Sequence, residues 1–73
     1  MTADVHVSVV SPEEAYNGNA EFWCGGELMG LTIVDDGQLK LRIEARADGS
    51  HWLVDTASLA RGLAEAARLL AAY

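Results

Sequence analysis

The stretch Asp36-Gly37-Gln38-Leu39-Lys40-Leu41-Arg42-Ile43-Glu44-Ala45-Arg46-Ala47-Asp48-Gly49 places apolar and charged residues at alternate positions between two Asp-Gly pairs. Neighbouring side chains on a strand point to opposite faces, so Leu39, Leu41, Ile43, Ala45 and Ala47 form one apolar face. Lys40, Arg42, Glu44 and Arg46 form the wet one. Each Asp-Gly pair is a hairpin signal, because glycine supplies the positive φ of a tight turn. The pattern therefore predicts sequential antiparallel strands over about residues 28–34, 38–46 and 50–54.

Working outward, Val5, Val7 and Val9 alternate with His6 and Ser8, which predicts a further strand over about residues 4–10. Between it and the sheet, Ser11-Pro12-Glu13-Glu14 has the form of a capping box with proline at the first helical position, and Asn17-Gly18 stops it after about one turn. Cys24-Gly25-Gly26 then interrupts an extended run, dividing it into residues 20–24 and 28–34 by a bulge or a sharp bend.

The C-terminal third reads as a helix over about residues 56–72, with Asp55, Thr56 and Ser58 offering capping oxygens. At about 100° per residue, Leu59, Leu63, Ala66 and Leu70 fall in one stripe, the expected core seam. Ser58, Arg61, Glu65 and Arg68 fall on the solvent side, while Ala60, Ala64, Ala67 and Leu69 widen the low-polarity arc to about 240°. One sheet contact needs less than that. The fold class expected is α+β: a three- or four-stranded antiparallel meander with the C-terminal helix packed on one face, all in one domain of residues 1–73.

At 73 residues the chain buries roughly 60% of the surface that it exposes when unfolded, so stability is marginal and a staple is expected. Cys24 is the single cysteine and cannot form an intrachain disulfide; His6 and His51 lack the paired spacing of a structural zinc site. Neither a metal nor a cofactor is expected. Self-association is the remaining supplement. One unpaired thiol, the absence of a basic leader at Met1-Thr2-Ala3-Asp4 and the absence of an apolar run of membrane-spanning length point to the cytoplasm. Twelve alanines with four arginines and one lysine suggest a GC-rich bacterial genome.

The net charge of −6 is unevenly spread. Asp4, Glu13, Glu14, Glu21, Glu27, Asp35 and Asp36 precede the first basic residue, whereas the chain from Leu39 onward is nearly balanced. Such a surface repels phosphate backbones, which disfavours general nucleic-acid binding and favours a basic protein or a second copy as partner.

Five features bear on chemistry. Cys24 beside two glycines has the look of a nucleophile with His6 or His51 as base, but a small buried thiol next to a bend explains it as well. Gly25, Gly26 and Gly30 fit neither dinucleotide nor P-loop spacing. Trp23 and Trp52 suit a core or an interface equally. Lys40, Arg42 and Arg46 form a basic column that could receive an aromatic ring such as Trp52. The alanine flank of the helix would let another element approach closely.

The function expected is a cytoplasmic binding module, a homodimer acting as an accessory or regulatory subunit rather than an enzyme. Its candidate contact residues are Trp23, Trp52, Arg42, Arg46, Ala60, Ala64, Ala67 and Leu69. Two alternatives are an acidic mimic of nucleic acid that occupies a basic groove, and a thiol enzyme using Cys24.

Overall fold

A computed structural model describes residues 4–73. In chain order the elements are β1 (Val5–Ser8), α1 (Pro12–Tyr16), β2 (Glu21–Cys24), β3 (Glu27–Asp35), β4 (Gln38–Ile43) and α2 (Thr56–Ala71). The strands form one antiparallel sheet in the order β1-β2-β3-β4, with α2 packed against it. The α+β meander with a C-terminal helix is the fold that the sequence predicts.

The turns form where glycine allows them. Gly25 and Gly26, at φ 61° and 78°, make a two-residue hairpin between β2 and β3. Asp36 and Gly37 do the same between β3 and β4 at φ 54° and 74°. Left-handed values at both central positions are those of the hairpin turn whose twist matches the strands. Cys24-Gly25-Gly26 is thus a turn, and the irregularity lies beside it: the β2–β3 register slips between Phe22 and Trp23, so that Met29 has no opposite number. The bulge leaves Met29 almost fully buried.

Helix α1 has the predicted caps. Ser11 Oγ accepts from the Glu14 N–H at 3.1 Å, and a Glu14 carboxylate oxygen accepts from the Val10 N–H at 3.0 Å. In α2, Asp55 is the N-cap and accepts from the Ser58 N–H at 2.8 Å.

Two expectations are overturned. The seam of α2 is only partly the Leu59, Leu63, Ala66, Leu70 stripe: Leu59, Ala66 and Leu70 pack on the core, but Ser58 and Gly62 are buried as well and Leu63 is exposed. Ser58, expected in solvent, accepts at its Oγ from the Val5 N–H at 2.8 Å. The contact is thus shifted around the helix toward its small residues. A Cβ on Gly62 would stand 3.1 Å from Val5, 3.3 Å from Val7 and 3.4 Å from Phe22, so the bare backbone lets α2 lie close on β1 and β2.

The second concerns residues 50–54, which pair with no neighbour beyond a single bridge at Val54. The chain leaves the sheet after Ile43 and turns on itself: Gly49 N–H reaches the Arg46 carbonyl at 3.0 Å, and Asp48 takes both the N–H and the hydroxyl of Ser50. Trp52 then donates its Nε1–H to the Glu44 carbonyl at 2.6 Å and packs on the core together with Val54, while Leu53 points away. The alternation of a strand is kept. Its hydrogen-bond ladder is replaced by side-chain capture.

Among the described residues the fully buried apolar side chains are Ala20, Phe22, Cys24, Met29 and Ala66. Thr32 is buried with them, its hydroxyl accepting from the Ala20 N–H at 2.6 Å and donating to the Gly18 carbonyl at 2.7 Å. The core lies between β1, β2, β3 and α2. No helix among the described residues is long and apolar enough to cross a membrane.

Candidate functional surface

Register assigns every strand residue to a face. Val5, Val7 and Phe22 contact α2, and through the pairs Phe22↔Gly30, Thr32↔Leu41, Gly30↔Ile43 and Val34↔Leu39 the same face continues to β4. Helix α2 touches β1 far more than any other strand. The helix side of the β3–β4 hairpin is therefore only partly covered, by Gly18 against Val34 and Leu39: Val34, Leu39 and Ile43 are 57%, 45% and 55% exposed, and Leu41 is only half-buried. Leu63, on the flank of α2 away from the one that borders β1, is 46% exposed, and Ala60, Ala64 and Ala67 extend that flank. Floor and wall together make an apolar shelf. The α2 charges Arg61 and Glu65 lie on the other flank, where with Gly62 they border β1.

The opposite face of the sheet carries His6, Trp23, Leu28, Leu31, Ile33, Lys40 and Arg42. Its charges are used locally. Trp23 donates its indole N–H to Glu21 at 3.0 Å, Lys40 pairs with Asp35 at 2.8 Å, and Arg42 pairs with Glu44 at 3.1 Å.

The third region is a recess of about 360 Å³ at the β2–β3 turn, lined by Cys24, Gly25, Arg46, Ser50, His51, Trp52 and Leu53. Arg46 lies over the Trp52 ring, 4.9 Å from its centre, and pairs with Glu27 at 3.2 Å, leaving its buried Nε without a partner among the described residues. The cation–π pair that the sequence suggests is thus formed by Arg46, which has left the basic column. Cys24 is buried at the inner wall. His6 lies on the opposite face beside Trp23, and the His51 side chain, though at the same recess, has no hydrogen-bonding partner to orient it among the described residues. A nucleophilic thiol needs an oriented base. No group of three or more metal-ligating side chains gathers among the described residues.

Topology also concentrates acid. Ser8 pairs with Glu21 and Asp35 with Gln38, so the end of β1, the start of β2 and the β3–β4 turn lie at one end of the sheet, with α1 following β1. Glu13, Glu14, Glu21, Asp35 and Asp36 are all there. The Glu14 carboxyl beside Glu21, with some burial, raises the Glu21 pKa above its ordinary value, while the Trp23 N–H works against the shift.

The residues singled out from sequence thus divide among several places. Ala60, Ala64 and Ala67 lie on the shelf wall, Trp23 and Arg42 on the opposite face, and Trp52 and Arg46 at the recess. Leu69 is half-buried toward the Ser58–Gly62 seam, away from the alanines. Periodicity alone places Leu39, Ile43 and Leu63 on core faces, and the structure leaves all three exposed with Val34. A signal for their exposure was available in dimensions: a helix about 10 Å wide cannot cover four strands spaced about 4.8 Å apart.

No family model, no curated protein and no solved structure matches the chain.

Proposed function

We propose that this domain is a small cytoplasmic binding module, an accessory or regulatory subunit that works through the apolar shelf rather than by catalysis. The observation that carries the reading is the exposure of Val34, Leu39 and Ile43 on the side of the sheet that α2 protects elsewhere. Contiguous apolar surface of this kind is costly to leave in water and commonly marks a contact. The test is recovery of partners from the native cell with tagged wild-type, Ile43→Glu and Lys40→Glu proteins. The reading expects a specific partner retained by wild type and Lys40→Glu and lost by Ile43→Glu. An identical set from all three would overturn it.

A second reading is favoured by the gathering of Glu13, Glu14, Glu21, Asp35 and Asp36 at one end: imitation of nucleic-acid phosphates in the groove of a basic protein. It requires capture that weakens steeply with salt and fails when Glu13 and Asp36 become lysine. Capture insensitive to both would remove it.

A further inference from the structure

We propose that the groove between α1 and the C-terminal end of α2 receives an arginine side chain from a partner protein, its stem and guanidinium lying against the rings of Tyr16 and Tyr73. The groove is lined by Pro12, Ala15, Tyr16 and Tyr73 and holds about 250 Å³. Both tyrosines of the chain are there, brought together from distant positions by the packing of α1 on α2. The site is separate from the shelf and goes beyond the reading given to that surface. With the second reading it shares only the sign of the partner's charge.

The rings are not spent on the fold. Tyr16 is 91% exposed and Tyr73 64%. The Tyr73 hydroxyl makes a long hydrogen bond of 3.4 Å to the Val9 carbonyl, which gives that ring a fixed point. A tyrosine ring offers a flat apolar surface with a negative face, suited both to an aliphatic stem and to the cation at its tip. The groove is smaller than the roughly 300–1,000 Å³ of small-molecule sites, so it suits one long side chain better than a free metabolite.

Charge complementarity selects the occupant. No basic residue lines the groove, and none precedes Lys40 in the chain. Glu13, one turn before Tyr16 on α1, is exposed and has no ion pair among the described residues. On the same helix the Glu14 carboxyl raises the pKa of Glu21, a crowding of acid that an incoming cation relieves. Four of the chain's five basic residues already hold carboxylates of their own: Lys40 with Asp35, Arg42 with Glu44, Arg46 with Glu27 and Arg68 with Glu65. The cation therefore comes from another protein. Arginine fits better than lysine, because a planar, weakly hydrated guanidinium stacks on an aromatic ring whereas an ammonium keeps its water.

The test is a nuclear magnetic resonance titration of the full chain with end-blocked glycine-proline peptides that carry arginine, lysine or citrulline at the centre. The arginine peptide should shift the amides of Ala15, Tyr16 and Tyr73. Binding should weaken roughly 3- to 30-fold when citrulline, which has the shape without the charge, replaces arginine, and by a similar factor in Tyr16→Ser. Tyr16→Phe keeps the ring and should bind as wild type does, as should Ile43→Glu on the shelf. Tyr16 is almost wholly exposed, so its substitution should leave the rest of the amide spectrum in place. Absence of shifts at about 5 mM arginine peptide would overturn the proposal, as would equal binding of the arginine and citrulline peptides. Binding that survives Tyr16→Ser but is lost when Glu13 and Asp36 become lysine would also overturn it, and would leave the phosphate-mimic reading standing. Failure on any of these counts does not touch the shelf, whose own test turns on Ile43.

Discussion

At the scale of single residues, Ser58 and Gly62 decide how the helix sits. The Ser58 hydroxyl satisfies the Val5 N–H, a donor at the start of β1, and is itself buried. Ser58→Ala should leave that donor unpaired and lower the unfolding free energy by about 1–2 kcal/mol, read as a lower urea midpoint with an unchanged slope. Gly62→Val should cost about 1–3 kcal/mol by overpacking, because even a Cβ there would stand 3.1 Å from Val5.

Glu21 supplies a pH dependence with a definite sign. Its folded pKa is raised, first by Glu14 and then by burial, so the folded state holds a proton more tightly than the unfolded chain. The resulting stabilisation is present below the ordinary value of 4.5 and is lost as pH rises through the folded one. Glu21→Gln should therefore stabilise the fold at pH 7 and not at pH 4, by a few tenths of a kcal/mol because the site is solvent-screened. Thermal melts of both proteins at the two pH values check it, and a gain confined to pH 4 would reverse the assignment.

At the scale of elements, the least conventional piece is the segment from Glu44 to Asp55. It is held to the sheet by the Trp52 indole on the Glu44 carbonyl, the Arg46 guanidinium over the ring and the Glu27 carboxylate that takes both Arg46 and the Ala47 N–H. Trp52→Ala should cost roughly 2–4 kcal/mol, below the figure for a fully buried tryptophan since the ring is only half-buried. Trypsin cleavage after Arg46 should accelerate before any global loss of helix signal. The same segment covers Cys24, so a thiol reagent should label it only as fast as the segment opens. Labelling as fast as for the unfolded chain would mean that the thiol is accessible and would revive a chemical role for it.

The elements also show what was legible. The alternation from Gln38 to Ile43, the Asp36-Gly37 hairpin turn, the Ser11 cap and the Asp55 cap all depend on residues within a few positions of one another, and each is where the sequence places it. Residues 50–54 read as a strand because the Asp48-Gly49 pair ahead of them is a hairpin signal. What prevents a ladder is non-local: Arg46 is drawn to Glu27, and the ring of Trp52 finds a carbonyl eight residues back. No local period contains that information.

At the scale of the whole molecule, the folded chain is 34 Å long and 21 Å across, with α2 over one half of the sheet and the β3–β4 hairpin extending beyond it. The self-association expected of so short a chain links stability to concentration by mass action. The thermal midpoint should then rise by several degrees between about 5 and 500 µM protein. A wild-type midpoint independent of concentration would argue for a monomer that meets its partner elsewhere.

By itself the sequence determined the strands as far as Ile43, the turns between them, the capped helices and the surplus of apolar surface on α2, because periodicity and turn chemistry act over a few residues. Only the tertiary structure decided which part of that surplus is buried. An apolar arc of about 240° offers two flanks to a sheet, and the choice went to the edge at Gly62, which fits against Val5, Val7 and Phe22, with the neighbouring Ser58 drawn in to satisfy the Val5 N–H. The larger Leu63 was left exposed, since close approach and one buried hydrogen bond outweighed the burial of a single leucine.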